Sequence, residues 1–205
     1  MTDESQKEEI LVNVTHREVR AALLENGILQ EVYIERAARR GLISNIYKGS
    51  VSRVLPGMQA AFVDIGLPRT AFLHASDIVR RTDPAAADAP LPDIRELVRE
   101  GEEILVQVVK DPMGSKGARL TTFITLPSRY LVLLPNGNGN GIGVSARIED
   151  DAERERLRST LEQLLPDERL TSGVIVRTAA EGASRESLRS DLEFLQKLWS
   201  VVQVE

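Results

Sequence analysis

The chain has 205 residues, 42% apolar and 28% charged, with a formal net charge of −5, the composition of a globular protein with room for two or three small domains. It has no cysteine and two histidines, His16 and His74, which excludes disulfides, thiolate catalysis, cysteine-ligated metals and a multi-histidine metal site. No apolar run is long enough to span a bilayer and the start lacks a basic-then-apolar signal pattern, so a cytoplasmic protein without membrane contact is the simplest expectation.

Residues 1–8 are a polar leader, expected to be disordered, in which Asp3, Glu4 and Glu8 face one Lys7. From residue 9, "EILVNVTHREVRAALLENGILQEVYIER" alternates apolar and polar over 9–15, 17–25 and 28–35. Asn26-Gly27 joins the last two runs, and both central positions of a type I′ turn need positive φ, so 9–40 reads as an antiparallel meander.

The second block, 41–124, predicts strands near 45–55, 59–65 and 69–74. Leu55-Pro56-Gly57-Met58 between the first two has the order of a type II turn. After a Pro/Ala/Asp loop at 82–93 come a short helix "DIRELVRE", a strand "EILVQVVK", the turn "DPMGSKG" and a fifth strand "ARLTTF". Five short strands with a helix between the third and fourth match the Greek-key barrel of the OB type.

The third block, 125–205, mixes the two kinds of element. "SRYLVLLP" predicts a strand, "PNGNGNG" a loop, and "DDAERERLRSTLEQLL" a helix with Asp150 and Glu153 placed as a capping box. "GVIVRT" predicts another strand, and Leu188, Leu192, Leu195, Trp199 and Val202 mark one stripe of a final helix. The fold class expected for the whole is α+β.

Strand alternation within the second block raises a functional question. Ala61, Val63 and Ile65 share one face, as do Ala71, Leu73 and Ala75, so Phe62 and Phe72 fall on the other. Pairing these strands with both core faces inward puts the two rings opposite each other. Outward aromatic pairs on an OB barrel are stacking platforms for single-stranded nucleic acid; equally, the rings could pack under the 82–93 loop or against the third block. Lys48, Arg53, Arg69, Lys110, Lys116 and Arg119 would supply a positive rim for phosphates, although charge runs are also ordinary solvated faces. At the end of "GVIVRT", Arg177 and Thr178 bring a guanidinium, a hydroxyl and backbone N–H groups to a strand-to-loop junction. That set suits a terminal phosphate, or merely a surface arginine beside a turn-holding threonine. His16 and His74 lack the partners of a catalytic triad.

Together, "ILVNVT", "RRGLISNIYKGSVSRVLPGMQAAFVDIG", "AFLHASDI", "VQVVKDPMGSKGARLTTFITLPSRYLVLLP" and "VIVRTAAEG" resemble the N-terminal half of bacterial ribonucleases of the E/G family. The resemblance implies an endoribonuclease that cuts single-stranded RNA with Mg²⁺, favours a 5′ monophosphate, and acts in rRNA processing and mRNA decay as a homo-oligomer. It implies part of an RNase H-like subdomain at 9–40, an OB-fold RNA-binding domain at 41–124 and a five-prime sensor at 125–205. By motif it puts RNA contacts on Phe62, Phe72, Lys110 and Lys116, and phosphate sensing on Arg177 and Thr178 with the Val132 backbone as a pocket wall. Ser128 stands where some relatives have glycine, and Ala146 where an arginine is found, followed here by Arg147. The family's metal-binding aspartates lie in a later domain, so this segment is expected to bind RNA weakly, to hold no metal and to hydrolyse nothing. The competing expectation is a non-catalytic RNA-binding adaptor or translation-associated OB module.

Overall fold

A computed structural model describes residues 7–38, 40–79, 92–135, 141–165 and 172–204. The chain forms two compact units that divide between Leu42 and Ile43.

The first unit is a three-stranded antiparallel sheet, β1 (Glu8–Val14), β2 (Glu18–Glu25) and β3 (Ile28–Arg36), in that order. Asn26 and Gly27 have φ of 51° and 79°, the conformation that the hairpin reading requires. β1 starts at Glu8, one residue inside the segment read as leader.

The second unit opens with a closed barrel of β4 (Ile46–Leu55), β5 (Ala60–Asp64), β6 (Ala71–His74), β7 (Glu103–Lys110) and β8 (Arg119–Thr121), in the order β4-β5-β6-β8-β7. All pairs are antiparallel except β6 with β8. This is the five-stranded OB-type barrel expected from strand spacing, and the molecule as a whole is α+β.

Three local expectations give way to tertiary contacts. The 55–58 turn is not type II: Pro56–Met58 form a 3₁₀ turn and the positive φ falls on Gln59 at 47° rather than on Gly57. The Gln59 side chain accounts for this, because its Nε2 donates to the Pro56 carbonyl at 2.8 Å while its Oε1 accepts the Ile94 N–H at 3.0 Å. The predicted helix at 93–100 shortens to one turn, α1 (Ile94–Leu97), since buried Val98 is already extended. The Arg95 guanidinium clasps the Asp93 cap that starts it, holding the Asp93 carboxyl well below the usual carboxylate range. The last barrel strand ends at Thr121, where Thr121 and Thr122 turn inward to bond the Asp77 carbonyl.

Beyond the barrel lies a four-stranded sheet in the order β11-β12-β10-β9, formed by β9 (Leu126–Pro127), β10 (Leu131–Leu134), β11 (Ile142–Val144) and β12 (Gly173–Val176). Helices α2 (Asp151–Leu164) and α3 (Arg185–Val202) share a core with it built on Leu131, Leu133, Val174, Val176, Leu157, Leu161, Leu188, Leu192 and Leu195. The strand expected over 128–135 is therefore shorter, beginning only at Leu131 because residues 128–130 form a turn, and the unforecast β9 precedes that turn. β11 has no forecast, being three residues beside a glycine-rich loop whose residues 136–140 lie outside the described set, as do 80–91 of the Pro/Ala/Asp loop. Asp150 does cap α2 through the Ala152 N–H at 2.9 Å, but the capping box does not form. Glu153 instead pairs with Arg156 at 2.6 Å and accepts the Gly182 N–H at 2.8 Å, and these two donors, the guanidinium foremost, hold its carboxyl down at about 2.

Gln107, 3% exposed, fastens the barrel to the β8–β9 connection. Its Nε2 donates to the Ser44 and Thr125 carbonyls and its Oε1 accepts the Thr125 N–H, so a buried amide is fully partnered where β8 hands the chain to β9.

Candidate nucleic-acid interface

The barrel strands alternate as expected. Ala61, Val63, Ala71 and Leu73 are sealed at 0% exposure, so Phe62 and Phe72 point the other way and are half-buried. The two are register partners, with ring centroids 6.4 Å apart and planes at 68°, an edge-to-face pair. His74, next on the same face, has its ring 6.5 Å from Phe72, with Nδ1 tied to Ser76.

These rings form the floor of a groove of about 880 Å³ whose lining comes entirely from the barrel. One side is the turn after β7, with Lys110, Met113, Lys116 and Gly117; the other includes Met58, Pro68 and Arg69. Phe62, Phe72, Lys110 and Lys116 thus meet in one place. The groove exists because two turns approach closely: Arg69 donates to the Gly114 carbonyl, and a Cβ on Gly117 would stand 2.0 Å from the Thr70 oxygen. Glycine is the residue that this approach admits.

Strand register adds an arrangement that no local reading contains. Cα partners run Arg53 to Phe62, Phe62 to Phe72, Phe72 to Arg119, and Arg119 to Lys110. The two rings are thus the middle of one transverse row, with cationic side chains at both ends. Arg119 is partly neutralised by Asp77 at 2.9 Å. Lys48 does not join the rim: it pairs with Glu103 at 2.9 Å on the β4–β7 side.

Arg177, Thr178 and Val132 come together at the end of β12. Val132 is opposite Ile175, and Arg177 follows two residues later on the same outward face. The Arg177 guanidinium donates to the Ser128 carbonyl, and its N–H to the Tyr130 carbonyl at 2.8 Å, so that backbone donor is not available as the sequence suggested. The Thr178 hydroxyl lies 3.0 Å from that of Ser145, whose carbonyl is held by Arg154 of α2 at 2.8 Å. Arg129 covers the Tyr130 ring at 5.0 Å. Sequence reasoning missed Ser145, just past β11, and Arg154 and Asp191 of α2 and α3, because a polar residue outside any motif carries no local mark of the loop it will brace.

Among the described residues no three His, Asp or Glu side chains converge as a metal site, and no helix is long and apolar enough to cross a membrane.

With that geometry in hand, comparison with known proteins is informative. Residues 43–122 match the S1 RNA binding domain and residues 125–205 the Ribonuclease E/G family. Ribonuclease G of Salmonella typhimurium (strain SL1344) is 57% identical over 198 residues, and that of Escherichia coli (strain K12) 56%; each alignment covers 95% of this chain and 40% of the relative. Ribonuclease E of Escherichia coli (strain K12) is 42% identical over 197 residues, covering 95% of this chain and 18% of the relative. The chain therefore spans about two fifths of the length of these ribonuclease G relatives, and the resemblance to the ribonuclease E/G family read from its motifs is borne out.

Proposed function

We propose that this chain, similar to ribonucleases G and E over nearly its whole length, is the RNA-reading part of a single-strand-specific endoribonuclease. Bases stack on Phe62 and Phe72 while Lys110 and Lys116 hold the sugar-phosphate backbone. A 5′-terminal monophosphate is taken by the Arg177 guanidinium and the Thr178 hydroxyl beside Val132, since a planar fork of donors matches two phosphate oxygens and a hydroxyl supplies a further bond. The observation that carries the reading is the edge-to-face ring pair set in a barrel groove with exposed lysines on its rim.

Cleavage belongs to the longer protein. Its Mg²⁺ would be held by residues other than the described ones, which do not fit such a site, and no step of metal chemistry is assigned to them. We place the whole protein in the cytoplasm, as a homo-oligomer acting in rRNA processing and mRNA decay.

The test is equilibrium binding of short single-stranded RNAs of one sequence, with a 5′ monophosphate or a 5′ hydroxyl, at two salt concentrations. Binding that weakens with salt and favours the monophosphate supports the reading, and Arg177→Ala should abolish that preference while leaving internal binding intact. A preference unchanged in Arg177→Ala would refute the sensing role; salt-independent or absent RNA binding would refute the whole.

A further inference from the structure

We propose that Asp191 of α3 is a positioning residue for phosphate recognition at Arg177, an inference that rests on the sensing role proposed above. One oxygen of its carboxylate, Oδ2, takes three donors from a single turn: the Ser128 hydroxyl, the Tyr130 N–H at 2.9 Å and the Leu131 N–H at 2.9 Å. The turn is closed by the Ser128 N–H to the Leu131 carbonyl at 2.8 Å. From it come both groups that fix Arg177, the Ser128 carbonyl for the guanidinium and the Tyr130 carbonyl for the backbone N–H.

The arrangement matters for what Arg177 can still bind. A carboxylate set directly on the guanidinium would orient it but would compete for the same donors and neutralise its charge. Here the negative charge is one peptide away. Among the described residues, Arg177 is anchored by carbonyl oxygens, so its positive charge and its remaining N–H groups stay available for a phosphate. Holding the side chain in place before binding removes the rotamer entropy that a free arginine would lose on capture. Asp191 thereby prepares the site without touching the ligand.

The experiment uses the 205-residue chain and two RNA oligomers of one sequence, 5′-phosphorylated and 5′-hydroxyl, with wild type, Asp191→Ala, Arg177→Ala and the double variant. Asp191→Ala should lower the preference for the phosphorylated strand by about tenfold, the weight of a charge-assisted hydrogen bond. Affinity for the hydroxyl strand should not move, and the double variant should be no worse than Arg177→Ala, because both changes remove one interaction. Equal losses on both oligomers, fully additive losses in the double variant, or an unchanged preference would overturn the proposal. A wild-type chain with no preference would overturn the sensing role itself and this inference with it. Should Asp191→Ala fail to fold, Asp191→Asn, which keeps the shape but loses the charge, should show an intermediate preference, and a preference equal to wild type would again overturn it.

Discussion

Phe62 and Phe72 face each other across the β5–β6 ladder, edge to face with ring centroids 6.4 Å apart, while their strand neighbours Ala61 and Leu73 are sealed inside the barrel. Binding and stability should therefore separate cleanly at these positions. Phe62→Ala should weaken single-stranded RNA binding by roughly 1–3 kcal/mol, one stacked base, and leave a cooperative unfolding transition. Leu73→Ala should instead cost about 2–5 kcal/mol of stability, because it opens a cavity in a core position. Fluorescence binding and urea melts of both variants check this; a Phe62→Ala chain without a folding transition would make the ring core.

The transverse row from Arg53 to Lys110 makes an electrostatic prediction. Each cation that contacts a phosphate should contribute about 0.7 to the slope of log affinity against log salt for a single strand. Arg53→Ala and Lys110→Ala should each flatten that slope by about this amount, whereas Lys48→Ala, paired with Glu103 on the β4–β7 side, should leave it in place. Titrations across a salt series read the three slopes directly.

Gly117 is the tightest point of the groove wall. In Gly117→Ala the new methyl would lie 2.0 Å from the Thr70 carbonyl oxygen and 3.3 Å from the Ala71 Cα, so the backbone leading into β6 has to move. A loss of about 3 kcal/mol is expected from such overpacking, with weakened RNA binding alongside. Gly57→Ala, with open space around it, is the control, and denaturant midpoints compare the two.

Glu153 links α2 to the loop that begins at Arg177 and Thr178, through its pair with Arg156 and the Gly182 N–H. Its folded pKa of about 2 lies below the ordinary 4.5. Above about pH 5 the group is ionised in both folded and unfolded chains and its contribution is complete. As pH falls from 4.5 towards 2 the unfolded chain takes up the proton first, and the contribution is lost. The gap in Tm between wild type and Glu153→Gln should accordingly be wide at about pH 7, narrow as the pH falls below about 4.5 and close only once it has fallen below about 2, as thermal melts across that range would show.

The local part of this design is readable because strands have a period of two and their turns need particular backbone angles. The meander follows from alternation around Asn26-Gly27, and the meeting of Phe62 with Phe72 follows from parity once the two strands are paired. Where a side chain from far along the chain decides the backbone, local reading fails. Gln59 bonds Ile94 and overrides the type II turn; Asp191, 63 positions from Ser128, holds a turn where the strand expected from residue 128 should begin; Glu153 leaves the capping box for Arg156 and Gly182.

By itself, then, the sequence determines the alternation of the strands, a five-stranded barrel of the OB type, the outward parity of two rings and, through its motifs, the resemblance to ribonucleases of the E/G family. Only the tertiary structure decides that Arg53, Phe62, Phe72, Arg119 and Lys110 form one row, and that Arg177 is steadied from α3 through a peptide carbonyl. The physical reason is range. Parity and turn angles act over a few residues, whereas register between β6 and β8, or a carboxylate reaching a turn across the core, is set by packing among segments that the chain brings together only on folding.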